Sequence, residues 1–207
     1  MLLNDNLELN SGIRDYLGSL DIEEISQERA STILEISNYL SEPNAVKKLS
    51  YICTHNSRRS QFAQFWSEFM CRSYGVSIQN YSAGTSETAV YPSVIKTLED
   101  IGFQVKSNGN SDNPKYQLLY SPREKPIILF SKEIGSDSLP KESFAAIMTC
   151  DHADVNCPFV PGASKRFSLH YKDPKEFDGS DQEFKAYQNS SKLIATEILL
   201  LISKIKG

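Results

Sequence analysis

Three absences narrow the reading of this 207-residue sequence. No apolar run approaches the about twenty residues that a membrane-crossing helix needs, and the chain opens on no secretory leader pattern. Excess positive charge is missing too. The 22 Lys and Arg residues stand against 26 Asp and Glu, for a net charge of −4, and the basic residues are scattered, which excludes the electrostatic footprint of a nucleic-acid binder. Repeats and low-complexity tracts are also absent. Cysteine is sparse, with four in the chain. Without leader or membrane span they point to a reducing cytoplasmic compartment, where thiols are reactive groups rather than structural staples. With 40% hydrophobic residues the chain is long enough for one well-cored soluble domain and an appendage.

What is present is concentrated after a short apolar run at residues 49–52. There Cys53-Thr54-His55-Asn56-Ser57-Arg58-Arg59-Ser60 sets a thiol six positions before an arginine, and the sequence from Ser60 to Trp66 begins an amphipathic helix. A strand-to-helix turn of this kind aims unpaired backbone N–H groups at a common point. The helix dipole adds positive potential, so a tetrahedral anion can sit there without a metal. The same field favours a thiolate at Cys53. Arg59 offers a bidentate clamp on two oxygens, which a lysine could not, and the Ser60 hydroxyl can donate to the sulfur. The alternative, a buried Cys53 with solvated arginines, leaves the spacing without a purpose.

Two further signals follow. Cys150-Asp151-His152-Ala153-Asp154-Val155-Asn156-Cys157-Pro158 places two thiols seven apart after the apolar strand at residues 144–148, and Asp173-Pro174 comes later. Cys150, His152 and Cys157 with His170 do not have the usual zinc spacing, so no metal is assigned. Two inert buried thiols stay open as an alternative. Cys71 is assigned no chemistry.

The loop resembles that of the low-molecular-weight protein tyrosine phosphatase superfamily, and the remaining motifs narrow the resemblance to thioredoxin-coupled arsenate reductases. Ser82-Ala83-Gly84-Thr85 and Pro92 match it as scaffold. The resemblance implies that Cys53 attacks an oxyanion held by residues 54–59 and that Asp173 is the general acid. It further implies that Cys150 and Cys157 carry a disulfide away from Cys53 to external thioredoxin, with no bound cofactor. Reduction of arsenate to arsenite needs two electrons, which a thiol pair ending as a disulfide supplies. Phosphotyrosine hydrolysis is the runner-up. The Lys175-Glu176-Phe177 run, with a charge pair where such phosphatases carry aromatic walls, favours a small inorganic anion, although Tyr171 and Phe177 can still line a ring pocket. Three positions depart from the pattern. His55 stands where glycine is common, Arg58 stands beside the clamp and is read as solvent-facing, and Gln64 replaces a potassium-holding glutamate, which leaves a potassium site in doubt.

The order of elements beyond residue 46 predicts an α/β domain, with a four-stranded parallel sheet flanked by helices on both faces and the anion loop at the end of its first strand. A β-hairpin is expected as an insertion at about residues 114–134, with a surface loop at 107–114 before it. A long helix is expected at 181–205. Residues 1–45 read as a helical extension with helices near 13–20 and 26–40. Two short helices cannot bury a core alone, so they pack either on the catalytic domain, residues 46–207, or across a homodimer.

Overall fold

A computed structural model describes residues 3, 7–43, 45, 47–109, 111–156 and 159–205; Cys157 lies outside them. Strands β1 (Lys48–Cys53), β2 (Gln79–Gly84), β6 (Phe144–Met148) and β7 (Ala163–Ser168) form a parallel sheet in the order β2-β1-β6-β7. β1 and β6 are central and covered on both faces. This is why they read as nearly continuous apolar runs instead of alternating.

Alternate residues serve different layers. Leu49, Tyr51, Ala145 and Ile147 join the main core, whereas Ile52, Ala83, Ala146 and Met148 join a smaller cluster on the opposite side. The main core lies under α3 (Arg59–Tyr74), α4 (Pro92–Ile101) and α6 (Glu183–Ile205), with α3 supplying Phe62, Phe65, Trp66 and Phe69 at helical spacing. Phe103 meets Phe65, Trp66 and Phe69 edge-on, with ring centroids 4.8, 5.7 and 5.2 Å away. The other side is closed by the short helix α5 (Asp151–Asn156) and by Leu139 and Val160.

The hairpin strands β4 (Tyr116–Leu119) and β5 (Ile127–Leu129) pair antiparallel as expected, and β3 (Gln104–Ser107) adds a third strand along β4. β3 gives little sequence signal because it is largely exposed and carries one apolar residue, Val105.

The N-terminal helices α1 (Ser11–Gly18) and α2 (Gln27–Ser41) lie on their own chain. Ile13, Leu17, Ile33, Ile36 and Leu40 enter the same core as Trp66 and Ile198. Arg29 of α2 clamps Glu197 of α6, a carboxylate residue only 1% exposed, and donates to the His170 carbonyl at 2.9 Å. A buried carboxylate without that partner would be costly, so α2 is an integral layer of the domain. Among the described residues no helix is long and apolar enough to cross a membrane.

Candidate active site

The loop between β1 and α3 gets its shape from donors around it. The Cys53 carbonyl accepts from Thr85 N at 3.3 Å, that of Thr54 from Ser86 N at 3.0 Å, and that of Ser57 from Tyr91 N at 3.0 Å. The His55 carbonyl accepts from the Ser131 and Thr88 hydroxyls, both at 3.0 Å, and the Asn56 carbonyl from Gln61 Nε2 at 2.8 Å. In a trans peptide the N–H points opposite to the carbonyl. Five carbonyls drawn outward therefore turn the N–H groups of residues 54–58 toward the loop centre. No side chain caps α3, which leaves its N-terminal turn facing the same point.

Two residues make this path possible. Asn56 has φ of 46°, a left-handed conformation that asparagine tolerates. Gly84 lets β2 press against the loop, since a Cβ there would stand 2.7 Å from both Asn56 N and the Thr54 carbonyl.

Cys53 is 4% exposed, and its Sγ lies 3.0 Å from Ser60 Oγ. Asn56 fixes the direction of that contact. Its Oδ1 accepts from Lys132 N at 2.8 Å, so its Nδ2 faces Ser60 Oγ and donates at 2.8 Å. With its oxygen already accepting, Ser60 directs its proton at the sulfur.

Arg59 donates from Nη1 to the Tyr171 carbonyl at 3.0 Å and from Nη2 to Asp173 Oδ2 at 2.5 Å. Asp173 is thus at the loop mouth, where its other oxygen caps the turn Pro174–Phe177 through Lys175 N. A cavity of about 580 Å3 opens here, lined by Thr54, His55, Arg59, His152 and Asp173 together with Lys175 and Glu176. Tyr171 is buried, with its carbonyl held by Arg59 and its ring 5.0 Å from the Arg29 guanidinium. Phe177 lines a neighbouring groove.

Cys150 is brought to the same place. It is fully buried, shares the small apolar cluster with Cys53, and puts Sγ 3.6 Å from Thr54 Oγ1 and 3.4 Å from Ala153 N. His152 places Nδ1 3.2 Å from the same Thr54 hydroxyl. His170 instead pairs with Asp154 at 2.6 Å. Among the described residues no metal-holding group of His, Cys, Asp or Glu side chains is found.

The Arg58 side chain departs from expectation. It does not face solvent; it stacks 4.1 Å over Tyr91 and donates to Asp178 Oδ2 and the Tyr187 hydroxyl, each at 2.5 Å. Asp178 and Tyr187 are more than a hundred residues away, so the sequence near Arg58 could not reveal them. Cys71 is buried, with its thiol pushed up to about 12 mainly by desolvation.

Sequence reasoning missed Lys132. It is 3% exposed, its Nζ donates to the Phe130 carbonyl at 2.7 Å and approaches Gln64 Oε1 at 3.5 Å, and burial pulls it down from 10.5 to about 7. Below pH 7 both folded and unfolded chains carry this proton, and the folded state bears the full penalty of a buried ammonium. Between pH 7 and 10.5 the penalty fades as pH rises, because the unfolded chain holds the proton longer. Lys132→Met should therefore stabilise the protein by about 2–4 kcal/mol at pH 6.5, with the gain vanishing near pH 10.5, as read by urea unfolding at several pH values. A gain that grows with pH would contradict this.

No family model matches the chain. An arsenate reductase of Halalkalibacterium halodurans is 27% identical over 137 residues, 66% of this chain and 81% of that protein. Arsenate reductase 1 of Staphylococcus saprophyticus is 29% identical over 161 residues, covering 77% and 96%. The crystal structure of a low-molecular-weight phosphotyrosine phosphatase from Vibrio cholerae superimposes with a TM-score of 0.54 at 15% identity, covering 77% of this chain and 96% of the other. The chain is thus similar in sequence to arsenate reductases, and it shares the fold of a low-molecular-weight phosphotyrosine phosphatase.

Proposed function

We propose that the protein reduces arsenate to arsenite through Cys53, Cys150 and Cys157, with thioredoxin as external reductant, no bound cofactor and a cytoplasmic setting. The observation that carries the reading is the second thiol: Cys150, held 3.6 Å from a side chain of the anion loop, has no use in phosphate hydrolysis.

The anion enters as dihydrogen arsenate and takes Arg59 from Asp173; the freed carboxylate takes up one proton of the anion and delivers it to the departing hydroxyl, which leaves as water while the Cys53 thiolate attacks arsenic. Cys150 next attacks Cys53 Sγ. The sulfur–sulfur bond forms, the Cys53–arsenic bond breaks, and its electron pair goes to arsenic, which leaves as arsenite. Cys157 attacks Cys150 in turn, frees Cys53 and leaves a Cys150–Cys157 disulfide for thioredoxin. Because Cys150 is fully buried, the intervening helix α5 has to leave its place, breaking the Asp154 contacts to Ser168 and His170 at 2.6 Å each.

A second reading has its own support. The 580 Å3 mouth is wider than a tetrahedral anion needs, and the adjoining groove holds Phe177 and Leu193, so a phosphotyrosine side chain is the alternative substrate. The two are separated by assaying purified protein with arsenate, thioredoxin, thioredoxin reductase and NADPH, beside an aryl phosphate. Arsenate-dependent NADPH oxidation is expected. Aryl-phosphate turnover without it would favour the phosphatase.

A further inference from the structure

We propose that His152 receives the proton of the resolving thiol Cys150 through the Thr54 hydroxyl, a proposal that rests on the reductase reading. The geometry is a three-atom chain: Cys150 Sγ, Thr54 Oγ1 at 3.6 Å, then His152 Nδ1 at 3.2 Å from that oxygen. Each link suits the transfer. Cys150 is sealed from solvent and, among the described residues, its sulfur meets only the Thr54 hydroxyl and the Ala153 N–H, whereas His152 is exposed on α5 and lines the mouth, where it can return a proton to water. A hydroxyl both donates and accepts, so Thr54 can take the thiol proton as it gives its own to an unprotonated Nδ1. The required form is the neutral ring with its proton on Nε2.

The step balances. The Cys150 proton moves to Thr54 and the Thr54 proton to His152, giving imidazolium, while the Cys150 thiolate attacks Cys53 Sγ. The pair released from the Cys53–arsenic bond reduces arsenic, and the two sulfurs are oxidised to a disulfide. The Ala153 N–H, 3.4 Å from Cys150 Sγ, supports the negative sulfur as it forms.

Other charges face His152 across the mouth. The anion loop contributes His55 and Arg59, the segment after β7 contributes His170, Lys172 and Asp173, and the following turn contributes Lys175 and Glu176. On its own helix stand Asp151, whose carboxylate accepts from His152 N at 2.8 Å, and Asp154, which is paired with Arg166 and His170. These groups are common to parent and variant, so a difference between their pH profiles isolates His152. It acts through Thr54 and is a positioning residue in the proton path.

The test is single-turnover formation of the Cys53–Cys150 disulfide after mixing with arsenate, in a Cys157→Ser background that traps it, followed from pH 5.5 to 9.5. With His152 present, the rate should rise with pH to a plateau, because the relay needs the ring without its second proton. His152→Gln should displace that rise by about one pH unit or more and slow the step about 10²-fold near pH 7.5, with the two profiles converging at alkaline pH. Thr54→Val should give the same displacement, and Thr54→Ser should restore the parental profile. Superimposable profiles, or a uniform loss at every pH, overturn the relay. If no such disulfide forms in the parent at any pH, the reductase reading itself has failed, and the relay with it.

Discussion

Replacing Cys53 with serine is expected to lower both arsenate reduction and aryl-phosphate hydrolysis at least about 10⁴-fold. The loop is shaped to hold an anion beside a thiol that faces the Ser60 hydroxyl, and an alcohol is a far weaker nucleophile in the same place. Ser60 directs its proton toward position 53, which assists a thiolate and does nothing to activate a hydroxyl. The variant should still bind anions, because five loop carbonyls remain drawn outward by Thr85, Ser86, Ser131, Gln61 and Tyr91. Initial rates with both substrates, and phosphate binding by calorimetry, check the two halves. Retained turnover would show that the nucleophile is elsewhere.

Asp173→Asn carries the second large effect, and it splits two quantities. Loss of the acid should lower kcat for an aryl phosphate about 10²–10³-fold, since the departing oxygen then leaves unprotonated. Inhibition by inorganic phosphate should tighten at the same time. In the unliganded site the Asp173 carboxylate holds Arg59 at 2.5 Å and competes with any anion for its guanidinium. An asparagine removes that charge and leaves the clamp to the ligand. Steady-state rates and phosphate inhibition constants measure both. Unchanged kcat with unchanged inhibition would remove Asp173 from the chemistry.

How much of this was legible depended on range along the chain. The anion loop is local: strand, turn and helix lie within residues 48–74, so spacing and residue type disclosed Cys53, Arg59 and Ser60 together. Helix α6 was visible for the same reason, through its apolar spacing, and begins at Glu183 rather than 181. What stayed hidden is carried by contacts between distant segments. Ser131 and Lys132 come from beyond the hairpin to hold His55 and Asn56, and neither has a sequence pattern that marks it. Arg58 finds Asp178 and Tyr187 across the fold, and Arg29 finds Glu197. The apolar positions of α2 were plain in the sequence, but not that the surface covering them is α6. The sequence near His152 offers it only as a zinc ligand; its proximity to Thr54 arises because β6 runs beside β1 and both end at the same edge.

The measurement that bears most directly on the central claim is a thiol count. Fully reduced protein, freed of reductant and mixed with excess arsenate, should release one arsenite per chain and retain two of its four free thiols. Release of arsenite would stop there until thioredoxin is added. If all four thiols survive and no arsenite appears while aryl phosphate is still hydrolysed, the protein is a phosphatase and Cys150 is a structural thiol.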